Sequence, residues 1–424
     1  MARFLFVSKE GAIPDLAATV KAEDHDVRMN ILDPEEREVG DGFVEKVDDW
    51  HSHCEWADII VFDDAEFGVE ADQLRKHGSL VVGGTPYTDR LEMDREFAQA
   101  EMETAGLDTL PRWSFESFDD AIAFLRKSPQ RVVIKPSGTA QSEKVLTFVG
   151  KEENGRDVIN LLGKLQKGWG HKITSLQLQQ HVDGVEVAVG GFFNGRRFLM
   201  PACVNFEHKR MFTGEIGPTT GEMGTVCFWD DNRLIRNGLR RMERKLAEVG
   251  YRGYFDINFI ATPDRLHPLE CTPRFGYPTI NVQIEGIHSS WGNLLLALAK
   301  GDSFAVVPKR GFQIGIVIAV PPFPFLDPAA FHKYSKDAVV VFKNGKTQGV
   351  HPCDVKFVDG DWLLTGTAGY AVVVTGAGQT VEDAREEAYT RISNLTIPNM
   401  FYRTDIGHRW RRDADLLFSW GYLR

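Results

Sequence analysis

Several features that would assign a protein to a class are missing from this chain of 424 residues. No segment approaches the roughly 18 apolar residues of a transmembrane helix. The start, MARFLFVSKEG, has one basic residue ahead of four consecutive apolar residues. We therefore expect neither a signal peptide nor a membrane anchor, and a cytoplasmic location.

Cysteine pairs and positive charge are also scarce. The five cysteines are odd in number and scattered, with no CxxC pair, which argues against a disulfide framework and a structural zinc site. The net charge of −11 makes nucleic acid an unsuitable partner, since phosphate backbones need a basic face. Any phosphate site must therefore gather its positive charges locally.

Two common phosphate-binding loops are absent. Gly345, Lys346 and Thr347 resemble the end of a Walker A loop, but Val340 stands where its first glycine is required. The glycine pair at 376 and 378 lacks the third glycine of a dinucleotide fingerprint, because Val381 holds that position. A nucleotide site would have to be built from other elements.

The length and the pattern of apolar segments predict several units of α/β and α+β type. Short apolar strands over 3–8, 26–32, 58–63 and 79–83, with helices over 14–22 and 69–77, predict a parallel sheet, and a long helix is predicted over 89–105. Later segments alternate apolar and polar residues as antiparallel strands do, with helices over 233–249 and 381–392. We predict an N-terminal α/β domain (1–110), a two-part domain (111–310, its first part about 112–185) and a separate C-terminal α+β domain (311–424).

A predicted hairpin over 131–149 carries two lysines. Lys135 lies on the first strand, and Lys144 follows nine residues later, across a loop of small residues. Two ammonium groups beside free backbone N–H groups suit the α- and β-phosphates of a nucleotide. Surface hairpins often carry lysines, so this pattern alone does not establish a nucleotide site.

The segment QQHVDGVE ends a predicted strand in a short hinge. Backbone groups of such a hinge can bind the edge of an adenine, and a carboxylate just beyond it can accept hydrogen bonds from ribose hydroxyls. The residues concerned are Gln179, Gln180, His181, Val182 and, for the ribose, Glu186. Glu186 could equally be an exposed strand residue.

Two facing strands, GYFDINFI and HPLECT, carry oxygen-bearing side chains on alternate residues. Alternation places Asp256 and Asn258 on one face of the first strand, and Glu270 and Thr272 on one face of the second. Hard oxygen ligands at this density suit Mg²⁺, or Mn²⁺, bridging phosphates. A purely structural polar face is the alternative.

A glycine- and hydroxyl-rich loop follows a cluster of charge just before these strands. We predict that it forms a cradle for a substrate and a γ-phosphate, the alternative being a disordered surface loop. Its residues are Glu207, His208, Lys209, Arg210, Gly217, Pro218, Thr219, Thr220 and Gly221.

Taken in order, these segments resemble the phosphoribosylamine–glycine ligases of the ATP-grasp superfamily. The family's DHKR…TGPNTGGMG run is matched here by EHKR…IGPTTGEMG, and its EFNCRFGDPE by ECTPRFGYPT at 270–279. Its EEFLDGEE hinge is matched by QQHVDGVE, and its C-terminal FYRKDIGxR by FYRTDIGHR. The resemblance covers about residues 85 to 410.

This resemblance implies a fold, a reaction and residue roles. The fold is an N-terminal α/β domain, an ATP-grasp pair of subdomains that clamp ATP, and a C-terminal domain closing the substrate site. The reaction uses ATP and Mg²⁺ to join a small carboxylate to an amine through an acyl phosphate, releasing ADP and phosphate. We expect a monomer or homodimer without nucleic-acid or membrane partners.

The family's roles carry over position by position. Lys135 and Lys144 would take the phosphate lysines, with Arg95 at the position of a further family lysine, and Glu186 the ribose carboxylate. Glu270 would be the principal metal ligand, with Asp256 or Asn258 second and Thr272 beside them. Arg274 would contact the transferred phosphoryl group, with Lys209 and Arg210 as further catalytic cations.

The sequence departs from the family pattern at three places. The metal-binding Glu-x-Asn is Glu270-Cys271-Thr272, so a hydroxyl replaces an amide. The N-terminal GxGGREHAL loop, which binds the ribose phosphate in the family, is replaced by SKEGAIP at 8–14, and a Gly-Gly-Arg step by Ala368-Gly369-Tyr370. We therefore expect an ATP-dependent carboxylate–amine ligase with a diverged amine site. The alternatives are a genuine phosphoribosylamine–glycine ligase and a nucleotide-binding module that has lost catalysis.

Overall fold

The N-terminal part of the computed structural model is a five-stranded parallel sheet, as predicted. The structure describes residues 1–137, 147–169 and 175–424. The strands are β1 (Arg3–Ser8), β2 (Asp26–Ile31), β3 (Glu45–Lys46), β4 (Ile59–Phe62) and β5 (Val81–Val82), in the order β3-β2-β1-β4-β5. Helices α1 (Pro14–Ala22) and α2 (Gly68–Lys76) connect them. Strands β4 and β5 are wholly apolar, and β1 is apolar from Phe4 to Val7, because both faces of the sheet are covered.

The single helix predicted over 89–105 is two helices, α3 (Pro86–Met93) and α4 (Arg95–Thr104). Asp94 between them has an extended backbone, and its side chain accepts a hydrogen bond of 3.0 Å from the N–H of Phe97. Aspartate is a strong N-cap residue, so it starts a new helix here rather than continuing the first.

A small antiparallel sheet follows. Its strands are β6 (Arg112–Phe115), β7 (Val132–Ser137), β8 (Phe148–Val149) and β9 (Ser175–Gln180), in the order β6-β9-β7-β8. The predicted hairpin is confirmed, since Val133 pairs with Val149 and Ile134 with Phe148. Helices α5 (Phe118–Lys127) and α6 (Arg156–Trp169) share an apolar core with this sheet.

The largest element is an eight-stranded antiparallel sheet. Its strands are β10 (Val185–Asn194), β11 (Ala202–Glu207), β14 (Gly224–Asp230), β15 (Arg252–Ala261), β16 (Leu266–Thr272), β17 (Phe312–Ile318), β19 (Val350–Pro352) and β22 (Val372–Gly378). Their order is β16-β15-β10-β11-β14-β17-β22-β19. A separate hairpin, β12 (Arg210–Phe212) and β13 (Ile216–Thr219), projects between β11 and β14.

The helix predicted over 233–249 is also interrupted. It consists of α7 (Arg233–Asn237), a short 3₁₀ turn at Leu239–Met242 and α8 (Glu243–Glu248). Gly238 ends α7 with φ −104° and ψ −86°, which no α-helix contains. Two further helices, α9 (Thr279–Gly286) and α10 (Trp291–Lys300), share an apolar core with the N-terminal sheet.

The C-terminal segment adds a four-stranded sheet of order β20-β21-β18-β23 and three helices. The strands are β18 (Val339–Phe342), β20 (Val355–Val358), β21 (Asp361–Leu364) and β23 (Leu395–Thr396). The helices are α11 (Pro328–Tyr334), α12 (Val381–Ser393) and α13 (Trp410–Ser419), of which only α12 was predicted. No helix within residues 1–137, 147–169 and 175–424 is long and apolar enough to cross a membrane.

The eight-stranded sheet crosses the boundary predicted at residue 310. Strands β17 and β22 extend it, β17 pairing with β14 on one side and with β22 on the other. The C-terminal segment is therefore not structurally separate from the residues before 310. The division into three domains stays a prediction.

The C-terminal segment is tied to the β12–β13 hairpin by Arg403, which is fully buried. Its guanidinium lies 2.6 Å from Glu215 Oε1 and 2.8 Å from Asp405 Oδ2, and it donates to the carbonyl of Arg210 at 2.9 Å. Burial opposes ionisation of Glu215, but hydrogen bonds from His208 and Arg403 lower its pKa to about 2.

We expect Arg403→Ala to lower the free energy of unfolding by about 3 kcal/mol or more, because it leaves carboxylates without their buried partner. Urea denaturation measures the change. The matched control is Arg244→Ala, whose exposed pair with Glu248 contributes about 0.5 kcal/mol at most. A loss for Arg403→Ala no larger than that of the control would contradict this account.

Candidate active site

A cavity of about 580 Å³ lies between the small sheet and the β15–β16 edge of the large sheet. Eighteen of the predicted site residues line it, brought together from α4, from strands of both sheets and from the loops between them. They are Arg95, Lys135, Gln179, Gln180, His181, Val182, Glu186, Glu207, Lys209, Arg210, Thr219, Thr220, Gly221, Asp256, Asn258, Glu270, Thr272 and Arg274. Lys144 lies outside the described residues.

One end of the cavity has apolar walls and a backbone edge. Leu110 and Val133 face it from the small sheet, and Ile260 and Leu269 from the large sheet. In the 179–182 hinge, the N–H groups of residues 180 and 181 donate to carbonyl groups of the small sheet at 2.8 and 3.1 Å. Within the described residues, no hydrogen bond uses the N–H of Val182. Two apolar walls around a polar edge form a slot for a flat heteroaromatic ring.

Next to this slot, two partly buried cations, Lys135 and Arg95, approach each other. Burial and the charge of Arg95 lower the pKa of Lys135 to about 8. Burial also lowers the pKa of Arg95, while Glu270 raises it. Like charges held together in a buried site are stabilised by an anion, so this part of the cavity suits phosphate groups.

Three carboxylates from three strands surround Lys209. Its Nζ lies 2.9 Å from Glu186 Oε1, 3.2 Å from Glu207 Oε2 and 3.5 Å from Glu270 Oε1. Burial opposes the charge of Lys209, but the three carboxylates raise its pKa well above the usual range. Lys209 therefore supplies the positive charge that this acidic part of the cavity requires.

The strand register brings the four predicted metal ligands onto one wall. Asp256 pairs with Thr272 and Asn258 with Glu270 across β15 and β16, and all four line the cavity. Asp256 is 6% exposed and its Oδ1 has no hydrogen-bond partner within the described residues. Burial, followed by the charge of Glu207, raises the pKa of Asp256 to about 8.

This wall fits a magnesium ion held partly by substrate. All its donors are hard oxygens, and a buried carboxylate with an unused oxygen is stabilised by a cation. No group of three or more His, Cys, Asp or Glu side chains in the described ranges is already gathered closely enough to hold a metal. Magnesium commonly takes one or two carboxylates and completes its shell with waters and phosphate oxygens, which suits this open arrangement.

The glycine-rich loop closes the far end of the cavity. The N–H and the hydroxyl of Thr220 donate to the carbonyl of Lys209 at 2.8 and 2.9 Å, which fastens the loop beside the acidic cluster. Arg210 donates to the carbonyl of Gly217 at 3.0 Å and lines the cavity. Glu222 lines the cavity too and is buried.

Three residues predicted to contact the substrate lie away from the cavity. They are His208, Gly217 and Pro218. The His208 ring is buried, its Nε2 accepts from the N–H of Gly407 at 3.1 Å, and its Nδ1 lies 3.2 Å from Glu215. Side chains alternate along a strand, so Glu207 and Lys209 face the cavity while His208 faces the C-terminal segment.

Arg274 lines the cavity but is engaged with carboxylates. Its Nη2 lies 3.0 Å from Glu92 and its Nε 3.4 Å from Asp64. Burial opposes its charge, but Glu92 and Asp64 raise its pKa further. Any contact between this guanidinium and a phosphoryl group has to be shared with these acids.

The lining residues that were not predicted as site residues include Tyr277, Arg409, Arg412 and Asp413. Arg409 donates to the carbonyl of Glu207 at 2.7 Å, and its Nε lies 3.4 Å from Asp413. Tyr277 and Arg409 lie in the RFGY and FYRTDIGHR segments, so these runs could have indicated them. No local pattern indicates Arg412 or Asp413.

Comparisons with known proteins show which family the chain resembles. Residues 93–276 match the phosphoribosylglycinamide synthetase ATP-grasp (A) domain, and residues 327–409 match the C domain of the same synthetase. The phosphoribosylamine–glycine ligase of Streptococcus pyogenes serotype M1 is 24% identical over 368 residues, covering 84% of this chain and 85% of the relative.

Solved structures share the fold. The phosphoribosylamine–glycine ligase of Thermotoga maritima has a TM-score of 0.73 at 20% identity, covering 96% of this chain and all of that one. The biotin carboxylase domain of Hydrogenobacter thermophilus 2-oxoglutarate carboxylase, in complex with MgADP, ADP and bicarbonate, has a TM-score of 0.62 at 12% identity, covering 95% and 92%. The chain therefore belongs to the phosphoribosylamine–glycine ligase family of the ATP-grasp superfamily, whose members are ADP-forming C–N ligases that use ATP and Mg²⁺.

Proposed function

We propose that this protein is a carboxylate–amine ligase that activates a small carboxylate with ATP and then joins it to an amine other than phosphoribosylamine. The observation that carries the proposal is the convergence of the two cations Lys135 and Arg95, the hinge and the oxygen-rich wall on one cavity. These groups match, in order along the cavity, the base, the ribose, the phosphates and the metal of MgATP.

The nucleotide would bind with its base in the apolar slot. Val182 offers its N–H to the adenine edge, and Glu186 accepts from the ribose hydroxyls. Lys135 and Arg95 would contact the phosphates, whose charge removes the repulsion between the two cations. Lys209 already neutralises Glu186 and Glu207, so the acidic wall does not repel the triphosphate.

Glu270, with Asn258 or Asp256 and the hydroxyl of Thr272, would hold Mg²⁺. Bound there, magnesium neutralises charge on the phosphate oxygens and orients them. A hydroxyl in place of the family's amide keeps an oxygen donor at the position of Thr272, which supports a functional site rather than a lost one.

The chemistry needs positioning and protection from water. A donor carboxylate oxygen attacks the γ-phosphorus as the bond to ADP breaks, and the amine then attacks the acyl carbon as phosphate leaves. Arg274, Lys209 and Arg210 would stabilise the charge that develops on the phosphoryl oxygens and on the acyl phosphate. The loop around Thr220 closes the cavity, which protects an acyl phosphate from hydrolysis.

Family membership favours a second candidate, a genuine phosphoribosylamine–glycine ligase with an unusual ribose-phosphate site. Expression in a purine-auxotrophic strain that lacks its own ligase separates the two. Our proposal predicts no growth without added purine from a well-expressed protein, and growth would establish the second candidate.

We expect Glu270→Ala to reduce turnover about 100-fold or more, because a charge partner of the transition state is lost. Phosphate release with MgATP and a panel of carboxylate–amine pairs measures this. The control is Glu248→Gln, an exposed residue on α8 that should leave turnover unchanged. Binding of MgATP without phosphate release for any pair would instead identify an inactive nucleotide-binding module.

We expect Lys135→Met to weaken MgADP binding about 10- to 100-fold, because a charged hydrogen bond to a phosphate is lost. The same change should raise the melting temperature of the nucleotide-free protein, because it removes a partly buried cation beside Arg95. Calorimetry and thermal denaturation measure the two effects. Lys127→Met, on the exposed face of α5, is the matched control, and an affinity for MgADP within twofold of the control would refute this role of Lys135.

A further inference from the structure

Three backbone N–H groups of the loop after β1 are used within the protein. The N–H groups of Gly11 and Ala12 donate to Ser8 Oγ at 2.7 and 3.2 Å, and the N–H of Lys9 lies 3.4 Å from an oxygen of Asp63. Ser8 in turn donates to the Asp63 carboxylate. A phosphate loop needs such N–H groups to point at the ligand, and here all three are used within the protein.

The side chains around this loop are mostly acidic. Burial and neighbouring carboxylates raise the pKa of Glu10 and of Asp354, which shows that negative charge is already crowded here. Lys9 is paired with Glu66. The carboxyl groups that contribute to this crowding include those of Glu10, Asp33, Glu36, Asp63, Asp64 and Asp354. An anionic group would be repelled from this surface, and a cationic one attracted.

This acidic region is continuous with the cavity. Tyr277 lines the cavity and donates from its hydroxyl to the carbonyl of Asp63 at 3.0 Å. Arg274, also in the lining, lies 3.4 Å from Asp64. Burial raises the pKa of Tyr370, and the nearby Cys353, Glu222 and Asp354 raise it further. Tyr277 and Arg274 therefore connect the lining of the cavity to this acidic region.

Among the residues at the far end of the cavity, Glu222 best indicates the charge of the ligand. It is 6% exposed, lines the cavity, and its Oε1 has no hydrogen-bond partner within the described residues. The hydroxyl of Thr225 lies beside the Glu222 carboxyl group. The buried hydroxyl of Tyr370 is likewise without a partner in the described part of the chain. A buried carboxylate that points into a cavity without a partner destabilises the protein unless a ligand supplies that partner.

Both residues stand where this sequence departs from its family. Glu222 replaces the second glycine of the family's TGGMG run, and Tyr370 replaces the arginine of its Gly-Gly-Arg step. Both changes make the local charge more negative, since one adds a carboxylate and the other removes a cation.

We propose that the acceptor of this ligase is a positively charged amine without a phosphate group, and that Glu222 receives its ammonium group. The inference rests on the proposed ligase function and names the substrate class of the same site. The inference predicts that the site selects amines by their positive charge, because the region that would hold a sugar phosphate contains carboxylates instead.

Calorimetric titration of the full-length protein saturated with MgADP tests the inference without requiring turnover. The probes are a panel of primary amines, including ethanolamine, 1,4-diaminobutane and basic amino acids, each compared with a phosphorylated or N-acetylated counterpart. O-phosphoethanolamine and ribose 5-phosphate are included. At least one cationic amine should bind, and its phosphorylated or acetylated counterpart should bind at least 10-fold more weakly. Tighter binding of ribose 5-phosphate or O-phosphoethanolamine, or no binding of any amine, overturns the inference.

Glu222→Gln keeps the shape of the side chain and removes its charge. We expect it to weaken binding of the amine at least 10-fold, leave the affinity for MgADP within twofold, and raise the melting temperature of the free protein. A purely structural role would lower the melting temperature and leave amine affinity unchanged, which would overturn the assignment. Glu222→Gly, which restores the family residue, guards against an effect of the glutamine itself, and Glu248→Gln is the matched exposed control.

Failure of the inference differs from failure of the proposed function. If amines bind selectively but no carboxylate yields phosphate release, the ligase function fails while the cationic site stands. If phosphate is released only with a phosphorylated or neutral acceptor, the ligase function stands and the inference fails.

Discussion

The ion cluster around Lys209 is the interaction on which the cavity depends. Glu186, Glu207 and Glu270 come from β10, β11 and β16, and without a shared cation their charges would repel across the face of the large sheet. The Lys209 side chain, which is 27% exposed, lies among them and offsets part of this repulsion in the absence of ligand. The loop with Thr220 is fastened to the backbone of the same residue, so the cluster also positions the wall that closes the cavity.

The pKa shifts of the other charged groups in the cavity indicate what binds. Lys135 and Arg95 lie together with lowered pKa values, whereas Asp256 has a raised one. Such groups weaken the free protein and are stabilised by a ligand that carries the opposite charge. An anion beside the two cations and a cation beside Asp256 are the two parts of a magnesium–triphosphate complex.

The two ends of the cavity have opposite electrostatic character, although they share one sheet. The nucleotide end gathers cations within a chain of net charge −11. The acceptor end gathers carboxylates, and the backbone donors of its first loop bind Ser8 and Asp63. The end of the cavity that keeps the family pattern therefore determines the class of reaction. The end that departs from the family pattern determines which amine is accepted.

Local periodicity was enough to predict the parallel sheet, the 131–149 hairpin and the common face of Asp256, Asn258, Glu270 and Thr272, because alternation and strand pairing are short-range properties. Family motifs added the ATP-grasp fold and most of the residues that line the cavity. The sequence alone could not show that Arg403 would bury His208 against the β12–β13 hairpin, that β17 and β22 would extend the large sheet, or that Arg274 would pair with Glu92 and Asp64. Those contacts join residues 180 or more positions apart, or strands far apart in the chain, so only the packing of the whole chain could select them.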